Sequence, residues 1–400
     1  MLLSVAAIPE VNPSSILWSA PSILVAAMLI AWAAESAQFF IAQGFALAIL
    51  AWLQTLPEFA VEAVLAWKQQ VPLLMANLTG ALRLLTGLGW PMIYCTAALF
   101  RRSRGKEALR HITLADEHCV EVVGLLAAMS YLLVVWWKAS LTVIDAAVLI
   151  LIYLAYLFIL RRMPATEAEG IDDLELVPRT IVTARPAART ATIVALFVAG
   201  GALIYYMAEP FLASLLAVSA SLGVPNFVFV QWVAPFVSEF PEKVSAFYWA
   251  RTVERASMAL MNMVSSNINQ WTLLAAMLPI TYSLSSGVAS PIPLDTQQEL
   301  ELLMTLGQSF LGAIFLADMQ LVWWEASGLF GLWLVQFAFS PVPPGPGILG
   351  FLALHIHLWV TVAYWIWAAI EVVRVFAGRR RPRAFHLFGV MWSRYIRPVR

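Results

Sequence analysis

Two dipeptides carry the chemistry of this sequence: Pro57-Glu58, in AWLQTLPE (51–58), and Pro241-Glu242, in PFVSEFPE (235–242), each inside a long apolar stretch. A proline inside an apolar helix removes a backbone hydrogen bond and frees a carbonyl on the preceding turn. In lipid that carbonyl must be satisfied by protein, water or an ion. A glutamate directly after the proline sets a carboxylate beside the unwound backbone. Two such elements meeting head to head would make an oxygen-rich cage, suited to a hard cation such as Ca²⁺, which takes about 6–8 oxygen ligands. Asn77 follows Pro57 by twenty residues and Asn262 follows Pro241 by twenty-one, so each falls on the next helix and offers an amide oxygen. Glu62 lies one turn after Glu58, and Glu239 three residues before Glu242, spacings that put each extra carboxylate on the helix face of its partner. Gln54, Thr55, Ser238 and Ser266 complete the candidate metal-ligating set. Four carboxylates cannot all be ionised without counter-charge. Arg83 and Lys243, the two basic residues within apolar stretches, are the candidates to offset them, and Lys243 stands at i+4 from Glu239.

The rest of the chain must hold this cage in a bilayer. Of its 400 residues 61% are hydrophobic and 12% charged, with a mean hydropathy of +0.80, against roughly 25% charged in a soluble domain. Formal charge is zero, with 24 Lys+Arg against 24 Asp+Glu, so nothing in the bulk charge suggests nucleic acid. Two cysteines, Cys95 and Cys119, exclude a disulfide scaffold and any Cys-rich metal site. The N-terminal MLLSVAAIPEVNP lacks the basic stretch of a signal peptide.

Eleven stretches approach the ~20 residues needed to span a hydrocarbon core: 16–42, 43–67, 71–99, 119–137, 140–160, 190–221, 224–250, 256–281, 301–324, 326–340 and 348–376. The tenth is short and ends at SPVPPGPG. None alternates as an outer-membrane strand would, so the expectation is an all-α helical bundle. With the N-terminus outside, the inner connections and the C-terminal tail carry twenty Lys and Arg, and the outer connections only Lys68 and Lys138. That asymmetry follows the positive-inside rule and places the arginine-rich C-terminus in the cytoplasm of a multi-pass plasma (inner) membrane protein.

The two halves repeat. Besides the Pro-Glu pairs and the asparagines, Ala34-Glu35-Ser36 answers Ala208-Glu209-Pro210, and VVWWKAS (134–140) is set against LVWWEAS (321–327). Five spans per half is an odd number, so the second half inserts upside down, the arrangement of transporters whose site lies where the repeats meet. The expected divisions are a first repeat at 1–160, a cytoplasmic loop at 161–189, a second inverted repeat at 190–345, one extra span at 346–377 and a basic tail at 378–400.

These motifs resemble the cation/calcium antiporter superfamily, which includes sodium/calcium and proton/calcium exchangers. Its repeats carry Gly-Thr-Ser-x-Pro-Glu and, one helix later, Gly-Asn-x-x-Gly-Ser-Asn. Here the first is Leu53-Gln54-Thr55-Leu56-Pro57-Glu58 and Val237-Ser238-Glu239-Phe240-Pro241-Glu242; the second is Ala76-Asn77-Leu78-Thr79-Gly80-Ala81-Leu82 and Met261-Asn262-Met263-Val264-Ser265-Ser266-Asn267. The resemblance implies two inverted five-helix repeats plus a C-terminal span, and exchange of Ca²⁺ or a related cation for Na⁺ or H⁺ by alternating access. It implies inorganic cations and the lipid bilayer as partners, no cofactor and no enzyme activity; no protein partner can be inferred. The alternative is a transport-inactive structural or sensory relative whose site is neutralised by Arg83 and Lys243. No Gly-x-Ser-x-Gly, His-Glu-x-x-His or nucleotide loop supports an intramembrane enzyme. His355 and His357, two apart, project in opposed directions on a helix and should not share a metal. His118, beside the basic 3–4 connection, is expected in solvent.

Overall fold

The structure, a computed structural model, describes residues 11–40, 46–163, 170–171, 174–343 and 345–397. The acidic residues Glu167, Glu169, Asp172 and Asp173 of the 161–189 loop, and the expected junction of the first two spans at 42–43, lie outside them. The first repeat consists of α1 (Ile16–Ala37), the broken pair α2 (Ala46–Gln54) and α3 (Leu56–Trp67), then α4 (Val71–Leu84) and α5 (Trp90–Ser103), then α6 (Cys119–Trp137) and α7 (Val143–Leu160). A short α8 (Leu176–Thr183) leads into the second repeat: α9 (Pro186–Leu222), the broken pair α10 (Asn226–Ser238) and α11 (Phe240–Thr252), α12 (Ala256–Asn269) and α13 (Ala275–Ser286), α14 (Thr296–Leu316) and α15 (Trp323–Phe339). Last come α16 (Ile348–Phe376) and α17 (Arg383–Met391).

Pro57 and Pro241 sit in the first turns of α3 and α11, where a missing N–H costs nothing. The breaks therefore fall just before the two glutamates. Among the described residues, seven helical segments are long and apolar enough to cross a membrane. The other four spans escape that measure for physical reasons: two are broken at Pro-Glu, α12–α13 is rich in polar side chains, and α15 has only 17 residues.

Two small ribbons test the inversion. Strand β1 (His111–Thr113) precedes α6, β2 (Ser140–Leu141) joins α6 to α7, β3 (Ile292–Pro293) precedes α14 and β4 (Gln320–Val322) joins α14 to α15. β1 pairs antiparallel with β4, and β2 with β3. Connections can pair only on one face of the bilayer, which requires an even number of spans between them. Six spans separate β1 from β4 and four separate β2 from β3, counting each broken helix pair as one crossing. Exchanging the repeats turns one ribbon into the other.

The same exchange relates backbone features that hydropathy cannot see. Single turns of π-helix interrupt both third spans, at Leu85–Gly89 and Gln270–Leu274. Among the described residues, the non-glycine positions with positive φ also match in pairs: Gln69 (56°) after α3 with Val253 (73°) after α11, and Ala139 (50°) with Met319 (65°) before β2 and β4. This register corrects the Trp-Trp correspondence. Trp136-Trp137 end α6, whereas Trp323-Trp324 begin α15; the residues matching Lys138–Asp145 are Asp318–Glu325. A repeated aromatic pair at a membrane interface is common enough to align by chance. The ninth and tenth spans are likewise corrected, to Thr296–Leu316 and Trp323–Phe339, because the left-handed turn at Met319 and strand β4 end the helix inside an apolar run.

Val253 is β-branched, so its positive φ is strained. Val253→Gly is expected to stabilise the protein by about 1 kcal/mol, read as a higher midpoint of thermal unfolding in detergent. A lower midpoint would mean that the valine side chain holds the α11–α12 turn.

Spans from opposite repeats interleave at the centre. α4 packs on α10 and α2 on α12, while α6 lies against α14 and α1 against α9. At the α4–α10 crossing, a Cβ added to Gly80 would stand 1.9 Å from the Gln231 carbonyl oxygen, so only glycine permits the approach.

Candidate ion-binding site

The two helix breaks face each other across α12, and all four glutamates are buried at that junction. Glu58 and Glu62 come from α3; Glu239 ends the α10 segment and Glu242 opens α11. Gln270, in the π-turn of the second repeat, links the halves: its Nε2 donates to Glu58 Oε2 at 2.6 Å and to Glu239 Oε1 at 2.7 Å. Asn77 Nδ2 donates to Glu62 Oε1 at 3.1 Å. Both oxygens of Glu242 are without a hydrogen-bond partner among the described residues, as are Glu58 Oε1 and Glu62 Oε2.

Five buried amides repeat one pattern. Asn262 Nδ2 donates to Gln54 Oε1 (3.3 Å), Asn267 Nδ2 to Thr86 Oγ1 (3.3 Å) and Asn269 Nδ2 to Thr55 Oγ1 (2.5 Å), all across the repeat interface. Together with Asn77 and Gln270, each donates its nitrogen and leaves its carbonyl oxygen unpartnered. In these five the donors are engaged and the acceptors free, an electronegative arrangement matched to a cation rather than an anion; Gln54 is the reverse, its oxygen engaged by Asn262 and its Nε2 without a partner. Among the described residues no three His, Cys, Asp or Glu side chains stand close enough to hold a metal alone. A bound cation would need carboxylate, amide and hydroxyl oxygens together.

The sequence-derived candidates divide as follows. Glu58, Glu62, Glu239, Glu242, Asn77 and Asn262 are brought together, with Ser266 beside Glu242 and its hydroxyl unpartnered. Gln54 and Thr55 line the first break and are engaged by Asn262 and Asn269. Ser238 bonds its own helix, to the Pro235 carbonyl at 3.3 Å. Gln270, Asn267 and Asn269 were not among the candidates. The signal was the continued run Asn262–Gln270 of polar residues in a buried span, where the first repeat has Ala81, Leu82, Leu84 and Leu85 at the matching places.

The two buried cations part company. Lys243 Nζ meets Glu239 Oε2 at 2.5 Å, as its i+4 spacing suggests. Arg83 does not reach the four glutamates: its guanidinium bonds Glu301 of α14 at 2.6 Å, Gln336 at 3.1 Å and the Thr79 carbonyl at 3.0 Å. Glu301, invisible as a partner in the sequence, is also bonded by Gln231 at 3.0 Å and by His357. The expectation that Arg83 offsets the cage is therefore corrected. One lysine against four carboxylates leaves three formal negative charges when all are ionised. His355 bonds the Phe351 carbonyl, so the two histidines do act separately. His118, contrary to expectation, is buried and bonded to Glu121 at 3.1 Å. Glu35 and Glu209 reach across the repeats in matched fashion, to Ser245 of α11 and to Lys68 at the end of α3.

The model of the sodium/calcium exchanger protein family matches residues 15–161 and 192–341, most of both repeats. The chain belongs to the sodium/calcium exchanger family. The exchanger fold is similar to the crystal structure of the H⁺/Ca²⁺ exchanger CAX, at 31% identity and a TM-score of 0.82, covering 96% of this chain and 91% of that one. It is also similar to the sodium-calcium exchanger NCX_Mj (16% identity, TM-score 0.54, 81% and 97% covered) and to native YfkE (13%, 0.54, 88% and 92%), likenesses of fold alone. No curated protein sequence matches it. As a member of this transporter family, the exchanger chain is an integral membrane protein of two inverted five-helix repeats plus α16.

Gln270 offers a direct check on the junction of this exchanger. Gln270→Leu leaves Glu58 and Glu239 without their shared donor, a loss of about 1.5–3 kcal/mol per hydrogen bond to a charged group. Cation flux is expected to fall at least about tenfold, with the protein still eluting as a folded species in detergent. Unchanged flux would remove the junction from the transport path.

Proposed function

We propose that this chain is a secondary active antiporter that exchanges Ca²⁺, or a related cation, for H⁺ or Na⁺ by alternating access. The observation that carries the reading is the concentration of unpartnered carboxylate and amide oxygens where the two Pro-Glu breaks meet. Glu58 and Glu242 are the central ligands, with Glu62, Glu239, Asn77, Asn262 and Ser266 around them and Gln54, Thr55 and Ser238 at the breaks. A hard divalent cation takes oxygen ligands and tolerates mixed, irregular geometry, which this donor set can supply.

The counter-ion follows from charge. Three uncompensated negative charges in a dry interior are costly, so when the divalent cation leaves, other cations must enter. Protons need no coordination shell and can be shared among crowded carboxylates, and the likeness to CAX supports the same choice. Na⁺ is the second reading. The repeats at 1–160 and 190–345, the loop at 161–189, the extra span at 346–377 and the tail at 378–400 would be the working parts, with the N-terminus outside and the C-terminus in the cytoplasm of the plasma (inner) membrane.

Purified protein in proteoliposomes tests this, with Ca²⁺ entry followed while a pH gradient or a Na⁺ gradient is imposed. Ca²⁺ movement driven by one gradient names the counter-ion. Absence of Ca²⁺, Sr²⁺ or Mn²⁺ movement under both would favour the transport-inactive relative, for which the Lys243–Glu239 pair is the remaining built-in counter-charge.

A further inference from the structure

The arginine-rich tail is not a loose strand. After α16 the chain turns at Gly378, whose φ is +69°, and Arg380 folds back under the bundle, where it is 7% exposed. It meets Glu325 at 2.6 Å, Asp318 at 3.0 Å and Glu371 at 3.0 Å. In the first repeat the residue matching Asp318 is Lys138, which pairs with Asp145 itself; in the second, the tail supplies the missing cation.

Around this anchor lies a cavity of about 860 Å³, floored by the β1–β4 ribbon and rimmed by Arg374, Arg379, Arg381, Arg383 and His386. Arg374 and Arg383 are paired, with Glu371 and Asp116. Among the described residues nothing engages the guanidinium of Arg379 or Arg381, and Arg380 Nε is buried without a partner. Two free guanidinium groups, those of Arg379 and Arg381, thus face one space.

A second hollow lies further along the same helix. An apolar groove of about 520 Å³ runs down the outer face of α16, lined by Leu358, Trp359, Val362, Ile366, Trp367 and Ile370. Ile366, Ile370 and Arg374 follow at i+4 steps, one face of the helix. Trp324 lines the basic cavity and Trp367 the groove, and their rings stack with centroids 6.2 Å apart and planes 14° apart. Phe376 and Phe385, on either side of the arginine turn, are exposed. Charge at the headgroup level, joined to an apolar channel at acyl-chain depth, has the chemical profile of one molecule.

We propose that this surface binds an anionic glycerophospholipid, its phosphate held by Arg379 and Arg381 and one acyl chain laid in the α16 groove. A soluble phosphate could use the cavity, but not the groove. Juxtamembrane arginines add about 1 kcal/mol, or roughly fivefold, each to the affinity for anionic lipid, so two together account for about 30-fold.

The test uses the full-length protein in a neutral detergent and reads thermal unfolding and bound lipid by native mass spectrometry. Phosphatidylglycerol is expected to raise the unfolding midpoint by several degrees, while phosphatidylcholine and soluble glycerol phosphate leave it unchanged. Arg379→Ala/Arg381→Ala, both exposed, should keep the midpoint of the lipid-free protein and weaken phosphatidylglycerol binding about 30-fold. Val362→Trp, which fills the groove, should weaken it with the arginines intact. Equal stabilisation by phosphatidylcholine, equal stabilisation by glycerol phosphate, no response to phosphatidylglycerol, or full binding by either variant would each overturn the assignment.

Discussion

Glu242→Gln is expected to lower Ca²⁺ flux in proteoliposomes by about a hundredfold or more. Glu242 is buried in the first turn of α11, and neither of its oxygens has a hydrogen-bond partner among the described residues. A glutamine keeps the shape and one oxygen but removes a full charge from a low-dielectric site. Removing one partner of a buried charge interaction costs about 3–5 kcal/mol, and every 1.4 kcal/mol is about tenfold in binding. Stability should move the other way, since a buried carboxylate without a partner is itself a burden in the ion-free protein. The variant should therefore unfold at the same or a higher temperature without Ca²⁺ and gain little when Ca²⁺ is added. Flux retained within about threefold would show that Glu242 is not a ligand in the transport cycle. Glu58→Gln should be nearly as severe, although the hydrogen bond from Gln270 to Glu58 persists in part.

Arg83→Met carries the second large effect, and there the loss is in stability. Arg83 is fully buried and satisfies Glu301, Gln336 and the Thr79 carbonyl, with its guanidinium 5.1 Å from the Trp232 ring. Removing it strands Glu301, which retains only Gln231 and His357, and is expected to destabilise the protein by about 3–5 kcal/mol. Replacing a whole buried pair by neutral groups is often nearly free. Arg83→Met/Glu301→Gln should therefore recover most of the unfolding midpoint and transport within about threefold of the parent. A double variant that folds but does not transport would place Arg83 in the transport machinery after all, and the inactive-relative reading would need revision.

Membrane residence, the count of spans and the inversion of the halves were legible because they rest on composition, on the parity of crossings and on two repeated Pro-Glu pairs, all one-dimensional facts. The Pro-Glu breaks were legible for the same reason: a proline acts on its own turn. Lys243 with Glu239 is a one-turn contact and follows from spacing. Arg83 with Glu301 spans 218 positions, and no local rule links them. Its partner was set by how α4 packs between α10 and α14, which Gly80 permits by admitting the Gln231 backbone. Gln270 was hidden because a polar residue in a span can face lipid-shielded packing or a site, and only the π-turn at 270–274 aims it at both carboxylates. The false Trp-Trp match shows the reverse: side-chain likeness suggested a register that left-handed turns and strand pairing overruled. Sequence determined which groups could bind a cation and that they lie in a bilayer. Tertiary structure decided which of them meet, since contacts between distant spans depend on helix packing rather than on distance along the chain.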